Sequence, residues 1–285
     1  MKELTREAYA KINLTLDVLG RLPSGYHEVR MIMQSIDLHD DVTVRLDGTG
    51  KTSLRCPAVS LPADASNLAW KAADAFYAAV GLRNPGTAIE IEKRIPVAAG
   101  LAGGSTDAAA VLRALDELHG TGLGDEKLCE IALPLGADVP YCLLGGTMLA
   151  EGIGEALTPL PPCPRCWVVL IKPPFSISTA EAYAGMDAHE PLVRPDTDGV
   201  LRSLEVGDLR GVCHRLYNVM EPAAAEKHKI LTGIREQLLD CGAEGAVMSG
   251  SGPTLYGLFL GETPARLALR VLQKEHPEIY LSKIL

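Results

Sequence analysis

The segment Pro96-Val97-Ala98-Ala99-Gly100-Leu101-Ala102-Gly103-Gly104-Ser105-Thr106 places three glycines and two hydroxyls between a strand-like run, Ile89 to Lys93, and an alanine-rich helical one. Glycine removes the Cβ atoms that would hold phosphate oxygens away from backbone N–H groups. A helix capped by Ser105 or Thr106 would present unpaired N–H groups and its positive dipole end to an anion. This pattern predicts a phosphate cradle, although the same residues would also serve an ordinary tight strand-to-helix loop. A second segment, Gly48-Thr49-Gly50-Lys51-Thr52, ends like a phosphate loop. It lacks the glycine that the pattern needs five residues before Gly50, where Arg45 stands, so it is expected to be a hairpin turn.

Other residues could do chemistry alongside the cradle. In Ala10-Lys11-Ile12-Asn13-Leu14 the two polar side chains project from one strand face, as site groups or as a solvated surface. Asp138, in Gly136-Ala137-Asp138-Val139-Pro140, precedes a proline suited to the first position of a helix. Such a carboxylate can cap the helix or accept a proton. Tyr26 and His27 follow Gly25 and offer an aromatic face and a ring donor, suited to a base pocket or to plain packing. Thr179 and Tyr183 fall one turn apart on one face of a predicted helix. Cys163-Pro-Arg-Cys166 has ligand spacing, but no second pair of cysteines or histidines follows. The seven cysteines are expected to be reduced, and no protein metal site is expected.

The elements that must position these groups alternate between strand and helix periods. Ala8 to Leu16, Val29 to Ile36 and Asp41 to Leu46 read as strands; Asn67 to Val80 reads as a helix capped by Asn67; Thr87 to Lys93 returns to strand. Thr-Pro-Leu-Pro-Pro-Cys-Pro-Arg-Cys, ending at Cys166, reads as a connection, so a boundary is expected after residue 160, giving units 1–160 and 161–285. Beyond it come a strand from Trp167 to Lys172, helices over Ser178 to Ala184 and Glu221 to Asp240, strands over Gly245 to Met248 and Thr254 to Phe259, and a helix over Pro264 to Glu275. The class is α+β.

With 47% hydrophobic and 22% charged residues the chain is an ordinary globular one. Its formal charge of −9, without a basic patch, argues against nucleic acid and anionic membranes as partners. No apolar run reaches the ~18 residues of a membrane span. Lys11, Asn13 and Asp17 break any secretory h-region, so a cytoplasmic protein is expected; a monomer or weak homodimer is expected as well, although no motif fixes the oligomeric state.

Leu101-Ala102-Gly103-Gly104-Ser105-Thr106-Asp107-Ala108-Ala109 resembles the second motif of the GHMP kinases, the family of galacto-, homoserine, mevalonate and phosphomevalonate kinases. Members typically read Gly-Leu-Gly-Gly-Gly-Ser-Ser-Asp-Ala-Ala there, so Ala102 stands for a glycine and Thr106 for a serine. If that position needs a positive φ, the Ala102 methyl costs stability. Residues 10–14, Gly25-Tyr26-His27, residues 136–140 and Met248-Ser249-Gly250-Ser251-Gly252-Pro253-Thr254 are similar to the motifs of one branch of the family, in order along nearly the whole chain.

The resemblance implies a two-domain GHMP kinase fold, with an N-terminal domain like domain 2 of ribosomal protein S5 and a ferredoxin-like C-terminal domain. It implies ATP phosphates over residues 96–106, Mg²⁺ with the ATP, and Lys11 and Asp138 as the catalytic pair. Asn13, Tyr26, His27, Thr179 and Tyr183 would hold the acceptor, a cytidine-diphosphate-linked polyol of isoprenoid precursor synthesis. Asn67 and Lys93 would be lesser candidates for the adenine pocket, beside their plainer readings as a helix cap and a solvent-exposed strand end, and residues 249–254 would buttress the glycine loop. The alternatives are a homoserine or mevalonate type of kinase, the related decarboxylase, or a non-catalytic nucleotide-binding protein.

Overall fold

Alternating apolar residues carry the first part of the chain as two long strands, β1 (Lys2–Arg21) and β2 (His27–Leu46), which are neighbours in one sheet. The computed structural model describes residues 2–57, 61–189 and 193–285. The two strands expected over residues 29–46 are one. The polar stretch Asp37 to Asp40 does not break β2, because Leu38 N–H is taken by Ser282 Oγ at 2.9 Å and the Asp40 carboxylate accepts two backbone N–H groups.

The chain packs into two compact units that interleave along the sequence. Unit 1 holds residues up to Ala10, His39–Val97 and Ala102–Gly145; unit 2 holds Lys11–Leu38, Ala98–Leu101 and Gly146–Leu285. They therefore differ from a sequential division at residue 160, since β1, β2 and the glycine segment each contribute to both.

Unit 1 adds β3 (Thr52–Arg55), α1 (Leu68–Val80), β4 (Thr87–Glu92), α2 (Gly103–His119), α3 (Gly124–Ala132) and α4 (Asp138–Leu144). The end of β2 runs antiparallel to β4, from Asp41 opposite Glu92 to Leu46 opposite Thr87. Val42, Val44, Ile89 and Ile91 point into a core shared with α1 and α2. Alanines at 69, 72 and 73 on α1 and at 108–110 on α2 let the two helices approach closely. Asn67 caps α1 by accepting from Ala69 N at 2.9 Å, and Gly81 closes it at φ 66°. The segment at 48–52 is a turn, with Asp47 Oδ1 accepting from Thr49 N at 2.9 Å. It is not a hairpin: β3 pairs in parallel with β4 and not back onto β2.

Unit 2 adds β5 (Thr147–Glu151), β6 (Ala156–Pro159), β7 (Trp167–Ile171), α5 (Thr179–Asp187), α6 (Thr197–Glu205), α7 (Leu209–Cys213), β8 (Tyr217–Asn218), α8 (Glu221–Lys227), α9 (Ile230–Asp240), β9 (Gly245–Met248), β10 (Leu255–Phe259), α10 (Glu262–Leu272) and β11 (Ile279–Lys283). β5 lies antiparallel to residues 31–34 of β2 and carries β6 on its other edge, while β8 runs parallel to β1 at Thr15 and Leu16. A separate antiparallel sheet has the order β11-β7-β10-β9. The helix expected over Glu221 to Asp240 is two. His228 leaves helical geometry at φ −124° and stacks on Phe175, centroids 4.4 Å apart. The proline-rich stretch is not a connection between units: Leu160 N and Cys163 N bond Thr147, and Cys163 and Cys166 are buried within unit 2. Burial pushes the Cys163 thiol up to about 12 and Cys166 in the same direction, so both stay protonated.

Candidate active site

The glycine segment leaves β4 and enters α2 without a side-chain cap. The helix begins at Gly103, ahead of the expected Ser105 or Thr106, because Ala102 takes the N-cap position in left-handed geometry (φ 59°, ψ 26°) and its carbonyl accepts from Thr106 N at 2.9 Å. The first N–H groups of this 17-residue helix are thus left uncapped by any side chain, the arrangement that suits an anion. Ala98 is also left-handed, at φ 51°. For alanine such geometry costs roughly 1–2 kcal/mol.

The glycines answer to protein packing more than to a ligand. A Cβ on Gly100 would lie 2.2 Å from Ser249 O, and one on Gly103 would meet Ile95 Cγ2 at 3.1 Å and Lys93 Nζ at 3.2 Å. Only Gly104, with nothing nearer than Leu68 at 3.6 Å, has room to spare. Packing within the protein thus accounts for Gly100 and Gly103 as glycines and does not account for Gly104.

In unit 2, Lys11 and Asn13 are 4% and 0% exposed, so their strand face is not a solvated one. Lys11 N–H donates to Leu101 O at 3.2 Å, which ties the strand to the glycine segment. Its Nζ donates to Asn13 Oδ1 at 2.7 Å, and among the described residues no carboxylate pairs with it. Asn13 is fixed in turn by Tyr256 Oη, which donates to its carbonyl at 2.8 Å. Ser249 Oγ donates to Gly100 O at 3.0 Å, and Gly250 sits where a Cβ would be 3.1 Å from Lys11 Nζ. Asn218, which the sequence reading missed, holds this turn by donating to Met248 O and Gly250 O at 2.9 and 2.8 Å.

Asp138 belongs to unit 1, where it is the first residue of α4, with Pro140 third. It is half-buried, it does not cap the helix, and among the described residues its carboxylate has no hydrogen-bond partner. The capping role open to it in the sequence is thus not the one it takes.

The acceptor candidates lie in unit 2. Tyr26 is 63% exposed in the turn between β1 and β2. His27 stacks on Tyr183 of α5, with centroids 4.2 Å apart and planes 9° from parallel, and its Nε2 lies 3.1 Å from Asp187 Oδ2, one turn further along the helix. Thr179 is exposed at the start of α5, whose cap is Ser178 Oγ accepting from Glu181 N. His27 and Tyr183 are therefore brought together, stacked ring on ring.

The adenine candidates are occupied. Asn67 Nδ2 donates to Pro62 O while its Oδ1 caps α1. Lys93 is not a solvent-exposed strand end: its side chain is 8% exposed and donates to Asp40 Oδ2 at 2.5 Å and Asp107 Oδ2 at 2.9 Å. Burial opposes the Lys93 ammonium, but Asp107 and then Asp40 outweigh it and raise its pKa. Burial drives the Asp107 carboxyl upward to about 7, with Lys93 opposing and Asp40 adding to the rise. Asp40 and Asp107 were not singled out in the sequence. An acid inside the run Thr106 to Ala110, all of it buried, was the signal that could have found one of them.

Residues 67–146 match the GHMP kinases N terminal domain and residues 200–278 match the GHMP kinases C terminal domain. The chain belongs to the GHMP kinase family, with the α+β fold of that family. Within it, the chain is 44% identical to a 4-diphosphocytidyl-2-C-methyl-D-erythritol kinase of Lachnoclostridium phytofermentans, over 94% of this chain and 92% of the relative. It is 41% identical to the enzyme of the same name from Acetivibrio thermocellus, over 99% of each. A crystal structure of 4-(cytidine 5'-diphospho)-2C-methyl-D-erythritol kinase superposes with a TM-score of 0.84 at 32% identity, covering 99% of both chains. A homoserine kinase from Cytophaga hutchinsonii shares the fold at TM-score 0.75 and 21% identity. Among the described residues no helix is long and apolar enough to cross a membrane.

Proposed function

We propose that this chain is an ATP-dependent kinase that phosphorylates the 2-hydroxyl of 4-diphosphocytidyl-2-C-methyl-D-erythritol, in the non-mevalonate route to isoprenoid precursors. The observation that carries the reading is Lys11, a buried ammonium bonded to an amide and not to a carboxylate, on a strand tied to the glycine segment. A buried charge without a resident counter-ion is costly unless an anion answers it, and phosphoryl transfer supplies one. The near full-length similarity to kinases of that name supports the choice of acceptor.

The ATP phosphates bind along residues 96–106, with the uncapped N–H groups of α2 and the hydroxyls of Ser105 and Thr106 as donors. Asp138 accepts the proton of the acceptor hydroxyl as the new P–O bond forms, while Lys11 steadies the charge on the attacking and transferred oxygens. Asn13 orients Lys11. Tyr26, His27, Thr179 and Tyr183 hold the cytosine by stacking and edge hydrogen bonds. Among the described residues no group of three or more His, Cys, Asp or Glu side chains forms a metal cage. Mg²⁺ would enter with the ATP, bound by its phosphates and water. When bound with ATP, the ion would neutralise phosphate charge.

ADP release measured with each acceptor tests the reading. Turnover is expected with the cytidyl polyol; turnover of homoserine or mevalonate in its place, or nucleotide binding with no acceptor phosphorylated, would overturn it. Asp138→Asn is expected to lower kcat by ~10²-fold or more with little change in ATP affinity. An unchanged kcat would remove Asp138 from the mechanism.

A further inference from the structure

Beneath the first turns of α2 lies a charge cluster that phosphoryl transfer as described above does not use. Lys93 Nζ bridges Asp40 and Asp107, whose side chains are 0% and 4% exposed. The ammonium lies under Gly103, where a Cβ would come within 3.2 Å of it. Asp40 Oδ1 is satisfied by Arg94 N at 2.6 Å and Ile95 N at 2.9 Å. Asp107 Oδ1 is buried and has no hydrogen-bond partner. Two ionised carboxylates on one ammonium would leave a net negative charge, buried, below the helix end that binds phosphate. It would also leave one carboxylate oxygen desolvated for nothing.

We propose that Asp107 carries a proton while nucleotide is bound, and is thereby a positioning residue that keeps the floor of the phosphate-binding turn free of net negative charge. The inference rests on the reading that ATP phosphates occupy residues 96–106. Burial of the Asp107 carboxyl, with the Asp40 carboxylate on the same ammonium adding to the rise, favours its protonated form. Binding of the nucleotide anion pushes in the same direction, so the cluster takes one proton from solvent wherever Asp107 would otherwise be ionised. The charged groups that face Asp107 are Lys93, just past β4, and Asp40 from β2. Arg94 turns away to Asp41 and Glu92. The buried faces of α1, α3 and α4 bring no acid or base except the phenols of Tyr77 and Tyr141, and β1 brings Ala8 and Ala10.

Calorimetric titration of the full chain with a non-hydrolysable ATP analogue and Mg²⁺, in two buffers of different ionisation heat between pH 6.5 and 8.5, tests this. Wild type is expected to take up more protons than Asp107→Asn, the difference approaching one per nucleotide at the alkaline end. Its Kd should rise by up to about tenfold per pH unit there, with a nearly flat profile in the variant. The analogue's own titration is common to both and cancels. Nucleotide binding with equal proton uptake in both proteins would overturn the inference and leave the ATP reading standing. No binding by folded wild type would overturn both. Should Asp107→Asn not fold, infrared spectra of wild type decide: an un-ionised carboxyl band that grows when analogue is added at alkaline pH supports the proposal, and its absence overturns it.

Discussion

Lys11 and Lys93 are both buried ammonium groups, each in contact with the glycine segment or the residues beneath it, and they differ in what answers their charge. Lys93 has two carboxylates; Lys11 has an amide. A neutralised ammonium is part of the framework, because removing it strands its partners. An ammonium held only by a neutral acceptor has unspent charge and is ready for an anion that comes and goes. Burial alone does not tell the two roles apart, since both side chains are nearly inaccessible. The identity of the nearest acceptors does.

The comparison can be broken by substitution. Lys93→Met is expected to cost about 3–5 kcal/mol of unfolding free energy at neutral pH, measured by denaturant titration, as two buried carboxyls lose their cation. A carboxyl whose folded pKa stands above its unfolded value binds more protons when folded. The stability this brings is present at low pH and lost as pH rises through the folded value. The loss in Lys93→Met should therefore shrink toward pH 5 and grow toward pH 8; a pH-independent loss would mean that Asp107 does not titrate in the folded chain.

Lys11→Met should do the opposite. It is expected to lower kcat by about 10²–10³-fold, with unfolding free energy unchanged or raised, because an unanswered buried charge is removed. Destabilisation like that of Lys93→Met would erase the distinction. Tyr183→Ala sharpens the contrast between phosphate and acceptor regions: the KM for the cytidyl substrate should rise roughly tenfold and that for ATP hold, as expected for a lost stacking contact. If neither KM moves, the His27 and Tyr183 stack is outside the acceptor pocket. The smallest effect is at Ala102, where Ala102→Gly relieves a left-handed alanine against a more flexible unfolded chain. A gain of about 0.5–1 kcal/mol in thermal unfolding is expected, and no gain would show that the turn is unstrained.

Local chemistry was legible in the sequence, and long-range placement was not. The Asn67 cap, β4, the glycine segment and the Ser178 start of α5 each depend on neighbours within a few residues, and each was found. The N-cap of α2 was placed three or four residues late, because serine and threonine are stronger cap signals than an alanine forced into left-handed geometry. β3, β5, β8 and β11 are short strands paired with strands far away in sequence, and β6 is a four-residue strand held only by β5, so periodicity alone gives little sign of them. The charge cluster joins residues 53 and 14 apart through Lys93. Lys93 itself, at a strand end, looked solvent-exposed until its carboxylates were located.

The strand that carries Lys11 has a consequence for synthesis. Its neighbour β8 pairs at Tyr217 and Asn218, and the Asn13 carbonyl that helps fix the lysine's partner is held by Tyr256. Some 240 residues must be translated after Lys11 before these contacts can form. At ~5–20 residues per second that is roughly ten seconds to a minute with the apolar strand incompletely paired. Lys11 is made long before Tyr217, Asn218 and Tyr256, the residues that complete its setting. A ribosome stalled before Tyr217 would hold a chain with the glycine segment fully translated and no finished place for the ammonium that serves it.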